Sequence, residues 1–98
     1  MKFKMARYRV KHDKIEETKH AIAEFVETIK LAEPGTFYEA YQEQDSPAFV
    51  HLMCFQDEDA EDVHRKSAHT GKFVSTLYPI CEQEPVFTDL SLFRSSEL

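Results

Sequence analysis

The chain has 98 residues, room for one domain and one core, and its 18 Asp and Glu against 12 Lys and Arg give a formal net charge of −6. That balance repels phosphate backbones and anionic headgroups, so neither nucleic acid nor a membrane surface is expected as a partner. A chain this short buries only about 60–65% of the surface it exposes when extended, a margin that pairing with a second copy would widen.

Phe3, Met5, Tyr8 and Val10 alternate imperfectly along Phe3 to Val10, which predicts a first strand. Asp13 then stands as a helix N-cap, with Glu16 three residues on as its capping-box partner. Ile15, Thr18, Ile22, Phe25, Val26 and Ile29 follow at helical spacing, with Lys14, Glu17, Lys19, Glu24 and Glu27 on the other side. Glu33-Pro34-Gly35 ends that helix, and Thr36 to Tyr41 reads as an aromatic strand. Gln44-Asp45-Ser46-Pro47 supplies turn chemistry before the apolar run Phe49 to Phe55, so the two strands form a hairpin. Asp57 or Asp59 caps a second helix from about Ala60 to Leu77, apolar at Ala60, Val63, Ala68, Phe73, Val74 and Leu77. A break is expected near Thr70-Gly71, Pro79 closes the helix, and Pro85 to Phe93 alternates as a last strand.

The order is βαββαβ, a ferredoxin-like α+β fold in which both helices cover one face of an antiparallel sheet, with residues 1–98 forming a single domain. The third strand is apolar at both parities: Phe49, Met53 and Phe55 point one way, and Val50, Leu52 and Cys54 the other. Helices shelter only one of these sides. A homodimer that buries Val50, Leu52, Cys54 and part of the last strand is therefore expected. The N-terminal MKFKMARYRV has no apolar run suited to a secretory signal, and no stretch approaches the ~20 apolar residues of a membrane span. Cys54 and Cys81 lack CxxC spacing and read as ordinary buried thiols; the expected location is cytoplasmic.

The run EPGTFYEAYQEQDSPAFVHLMCFQDEDAEDVHRKSAHTGKF carries an EPGT start, a hairpin turn and a strand ending in an aromatic residue. An acidic cap then precedes a helix with A-x-x-H-x-x-S-x-H-like spacing. In these features the chain resembles the antibiotic-biosynthesis monooxygenase domain family over Phe3 to Phe93. The resemblance implies a dimeric α+β barrel, two sheets face to face with helices outside. It also implies one of several chemistries: cofactor-free oxygenation of aromatic quinols, haem degradation, or isomerisation or breakdown of small signalling molecules. Against the Asn–Trp–His set of the haem-degrading branch, this chain places Tyr8, Phe55 and His64, so that set is incomplete.

The pocket of such a domain lies between the helices and the inner sheet face, where His51 shares the parity of Phe49, Met53 and Phe55. His64 matches the family histidine. His51 and His64 are the candidates for catalysis; Phe55, Tyr38, His69 and Phe73 are the candidates for substrate contact. His64 and His69 are five residues apart, roughly 140° around a helix, so a break between them is required for both to reach one pocket. The bland reading of His69 is a residue near a helix C-terminus that satisfies carbonyl groups. Tyr38, Tyr41 or Arg7 would stabilise a developing oxyanion. No HxxxH, HExxH or Cys/His cluster is present, and with 2 glycines there is no phosphate-cradling loop, so no metal, haem or flavin is expected. The favoured function is cofactor-independent oxygenation of a phenol or quinol by O₂, with a pocket histidine as base. The alternatives are a non-catalytic small-molecule-binding dimeric module and an isomerase or detoxifying enzyme for a small oxygenated metabolite.

Overall fold

In the computed structural model, which describes residues 1–97, β1 (Lys2–Val10) passes through a 3₁₀ turn at His12–Lys14 into the long helix α1 (Ile15–Ala32). The hairpin of β2 (Phe37–Gln42) and β3 (Ala48–Phe55) comes next, then α2 (Glu58–Lys66) and α3 (Ala68–Leu77). A second 3₁₀ turn at Tyr78–Ile80 leads into β4 (Cys81–Leu90). The strands form one antiparallel sheet in the order β2-β3-β1-β4, the ferredoxin-like α+β arrangement. Asp45 turns the hairpin with φ 55°, a left-handed conformation that Asp tolerates better than most residues.

The core lies between the helices and one sheet face. Ile22, Phe25 and Ile29 of α1 meet Phe73 and Leu77 of α3 over Tyr8, Val10 and Phe49 of the sheet. The Phe25 and Phe73 rings stack at 4.4 Å and 5°. Strand pairing aligns the other face into rows: Phe37, Cys54, Phe3 and Leu90; then Glu39, Leu52, Met5 and Thr88; then Tyr41, Val50, Arg7 and Val86. Among the described residues nothing covers these rows. Phe37, Tyr41, Val86 and Leu90 are exposed there, while Cys54, flanked by Phe3 and Phe37, is already buried.

Several local expectations are corrected. Asp13 makes no side-chain cap; it sits inside the 3₁₀ turn, and α1 starts at Ile15 without a capping hydrogen bond. The second helix breaks at Ser67, three residues before Thr70-Gly71. There Ser67 Oγ donates to the carbonyl of His64 at 2.7 Å and accepts the amide of Thr70 at 3.2 Å, ending one helix and capping the next. Gly71 continues inside α3, where the space around it is open. Val63 is exposed, and α2 turns His64 inward instead. β4 begins at Cys81, ahead of Pro85, and ends at Leu90; Leu92 and Phe93 lie beyond it, exposed.

Candidate functional site

The sheet's inner face and the α2–α3 pair enclose a cavity of about 400 Å³. Tyr8 and Ala6 of β1, Tyr38 of β2, His51, Met53 and Phe55 of β3 form its floor, because alternate residues of adjacent strands share one face. His64, Phe73 and Leu77 come down from the helices, and Phe87 of β4 closes one side. At the rim Lys4 pairs with Glu61 and lies 3.4 Å from Asp89. The cavity is thus an apolar, aromatic chamber with a few polar groups. His51, His64, Tyr38, Phe55 and Phe73 all line it; His69 does not, and faces a smaller groove between α1 and α3. The ring of Tyr38 packs near both cavity histidines, 5.4 Å from His51 and 5.8 Å from His64.

Behind His64 sits Glu33, a residue that sequence reasoning treated only as part of a helix stop. Pro34 has no N–H to continue α1, so Glu33 becomes its C-cap; its amide bonds the carbonyl of Ile29 and its own carbonyl accepts the amide of Thr36. A buried carboxylate at the negative end of a helix is electrostatically unfavourable without donors. Donors surround it. His64 Nδ1 lies 3.0 Å and His69 Nε2 2.5 Å from Oε2, and the Thr36 hydroxyl donates to Oε1 at 3.1 Å. The break at Ser67 brings both histidines to one carboxylate from successive short helices. His69 is therefore the second residue of α3, at its N-terminal end, so the reading of it as a helix C-terminal residue is overturned.

Burial raises the Glu33 carboxyl, but the bonds from His69 and His64 outweigh it and leave the group below its usual range, ionised. Burial also pulls His64 below its ordinary value, against the opposing pull of Glu33. A carboxylate only accepts hydrogen bonds, so a neutral His64 carries its proton on Nδ1 and has its lone pair on Nε2, at the opposite edge of the ring.

His51 is held differently. It is 1% exposed, and both ring nitrogens meet tyrosine hydroxyls: Nε2 with Tyr8 at 2.8 Å and Nδ1 with Tyr38 at 2.7 Å. Burial lowers its pKa to about 4, which keeps the ring neutral, and burial pushes both tyrosine hydroxyls well above their usual value. Tyr41 and Arg7, the other expected oxyanion partners, lie on the opposite sheet face, bonded to Glu39 and Glu43.

Glu33, His64 and His69 present one carboxylate and two imidazole nitrogens within 4.8 Å of one another, a donor set that zinc or ferrous iron accepts. The geometry is that of hydrogen bonds. Ligands 2.5 Å apart, as His69 Nε2 and Glu33 Oε2 are, would pinch the angle at an ion about 2.1 Å away to well under 90°. Of the three, His64 alone lines the cavity.

A ferredoxin-like sheet with an aromatic, histidine-lined chamber is the architecture of a small-molecule-binding α+β domain. The family model described as antibiotic biosynthesis monooxygenase matches residues 1–76, and the chain belongs to that family. It is similar in fold to a crystal structure of an antibiotic biosynthesis monooxygenase, with a TM-score of 0.86 at 22% identity, covering 96% of this chain and 100% of that one. A conserved protein from Methanosarcina mazei Go1 is similar with a TM-score of 0.81 at 25% identity, covering 91% and 89%. Rv0793 from Mycobacterium tuberculosis gives a TM-score of 0.85 at 19% identity, covering 97% of each chain. No curated protein matches the chain.

Proposed function

We propose that this protein is a cofactor-independent monooxygenase of a small phenol- or quinol-type substrate, with His64 as the base. One observation carries the reading: the Nδ1 of His64 is anchored by buried Glu33 while its ring lines an apolar chamber. The pairing of carboxylate and imidazole fixes tautomer and orientation, as a base requires. The aromatic walls suit a flat ring, and an apolar chamber has room for O₂ beside it.

The reaction balances without an added reductant. His64 removes the phenolic proton; the anion gives one electron to O₂, and the two radicals join in a C–O bond at a ring carbon bearing hydrogen. Protonation gives a hydroperoxide, and loss of water leaves a quinone, with one oxygen atom in the product and one in water. Deprotonation is the demanding step. A phenol near 10 against an ordinary histidine near 6.5 leaves about 3.5 units, roughly 5 kcal/mol, for anion stabilisation to offset, and the lowered pKa of His64 widens that gap.

The active form in this reading is a homodimer, with Val50, Leu52 and the exposed rows of the outer sheet face covered by the partner. A sheet face bearing Phe3, Phe37, Tyr41, Val86 and Leu90 supports it, since single copies rarely leave such a patch in water. Among the described residues no helix is long and apolar enough to cross a membrane, and both cysteines are free thiols, which suits the cytoplasm.

An oxygen electrode with a panel of naphthols and quinols tests the function. Expected is O₂ uptake matched one to one by quinone, with a single oxygen-18 atom incorporated from labelled O₂. Proton exchange or isomerisation without uptake, or binding without turnover, would overturn it in favour of an isomerase or a binding module respectively.

A further inference from the structure

We propose that Tyr8, His51 and Tyr38 form an oxyanion-binding relay in the floor of the cavity, in which whichever tyrosine receives the His51 N–H offers its own hydroxyl proton to a phenolate or enolate oxygen of the ligand. The inference rests on the proposed phenol-type substrate and extends it to the groups that hold the anion.

Either tautomer of His51 leaves one donor free. A neutral imidazole has one N–H and one lone pair. The lone pair takes a hydroxyl proton from one tyrosine, and the N–H is given to the oxygen of the other. Both nitrogens are engaged, at 2.8 Å by Tyr8 and 2.7 Å by Tyr38, so one tyrosine has its hydroxyl proton spent on the ring and the other does not. Among the described residues neither hydroxyl has a further acceptor, and both tyrosines line the cavity. That remaining donor is available to whatever the cavity holds. Moving the ring proton from one nitrogen to the other transfers the free donor from one tyrosine to the other, so the relay serves a ligand oxygen on either side of the chamber.

The surroundings set the ligand class. His51 has Phe73 at 5.8 Å over its ring and no ionised group among its hydrogen-bond partners. A hydroxyl donor in such a place discriminates in favour of an anionic oxygen over a neutral one, because hydrogen bonds to charged acceptors are about twice as strong. The His64 ring lies 5.8 Å from that of Tyr38, so a phenol oxygen beside Tyr38 has a base and a donor as neighbours. In this scheme the tyrosines touch the ligand and His51 is a positioning residue.

Binding of 4-nitrophenol, whose anion is coloured, tests the relay without any turnover, with nitrobenzene as a ligand of similar shape that lacks the oxyanion. The wild-type protein is expected to favour nitrophenolate, so that the bound ligand ionises at a lower pH than in solution. Removing both hydroxyls, Tyr8→Phe with Tyr38→Phe, should weaken nitrophenolate about 10- to 100-fold with nitrobenzene affinity nearly unchanged. His51→Gln, compared on its folded fraction, should bring the ionisation of bound nitrophenol back toward its solution value, which a merely structural histidine would not do. Equal losses for both ligands, or an unshifted nitrophenol in the wild-type protein, would overturn the relay. A shifted nitrophenol without oxygen uptake for any phenol would sink the monooxygenase reading and leave the relay standing. Uptake that survives the double tyrosine variant would do the reverse.

Discussion

Nδ1 of His64 lies 3.0 Å from Oε2 of Glu33, a residue 31 positions earlier that ends α1. The pair joins two features distant in sequence: a helix stopped by Pro34, and a second helix broken at Ser67 so that its histidine turns inward. Glu33→Gln tests the pairing, because an amide offers a donor where the carboxylate offered only acceptors. The maximal rate is expected to fall about 10- to 100-fold with little change in KM. Glu33 raises the His64 pKa, so removing its charge lowers that pKa, and the acid limb of the rate profile should move to lower pH. A full rate with an unmoved limb would mean that the pair plays no part in catalysis.

Stability should depend on pH through His51. Its pKa is about 4 in the fold, and about 6.5 in the unfolded chain, so the unfolded state binds more protons between those values and stability falls as pH drops from 6.5 toward 4. The loss attributable to this group is about 3 kcal/mol. Glu33, lowered in the fold, adds a loss of the same sign at more acid pH. Chemical denaturation at several pH values, on wild type and His51→Gln, should show a shallower decline in the variant; identical slopes would contradict the burial of a neutral ring.

The order of elements along the chain and one side of β3 were legible in the sequence, because period-two patterning on β3 sets parity directly and puts His51 beside Phe49, Met53 and Phe55. Glu33 was not legible as a functional group. In sequence it stands beside Pro34-Gly35 and reads as punctuation; the available signal was an acidic residue at a helix C-terminus, where the dipole disfavours it. The Ser67 break was misplaced onto Thr70-Gly71 because glycine is the stronger breaker by propensity, whereas the serine hydroxyl competes for backbone groups on both sides. Tyr8 pairs with His51 across the sheet at a slant, a contact that periodicity along one strand does not reveal.

Leu52→Asp should separate the proposed dimer. Leu52 sits in the middle row of the uncovered face, between Glu39 and Met5, and a charge there faces the partner's apolar surface. An unpaired buried charge costs several kcal/mol, so the variant is expected to sediment as a monomer with a lowered Tm. Wild-type protein sedimenting as a folded monomer at micromolar concentration would contradict the dimer.

Ser67→Ala should loosen the site without touching the cavity. Losing an N-cap costs about 1 kcal/mol, and here the cap also fixes where α3 begins and hence where His69 meets Glu33. A small fall in Tm with a larger fall in rate is expected from thermal melts and initial rates on the same preparation; a rate unchanged at full folding would show that the helix break serves stability alone.

Whether His64 is the base is decided by oxygen uptake with a quinol, comparing His64→Gln with wild type, both normalised to folded protein by near-UV circular dichroism. Loss of roughly 10²–10⁴-fold in uptake, with nitrobenzene binding retained, is the expected outcome. Uptake per folded molecule equal to wild type would remove His64 from the chemistry and refute the proposed mechanism.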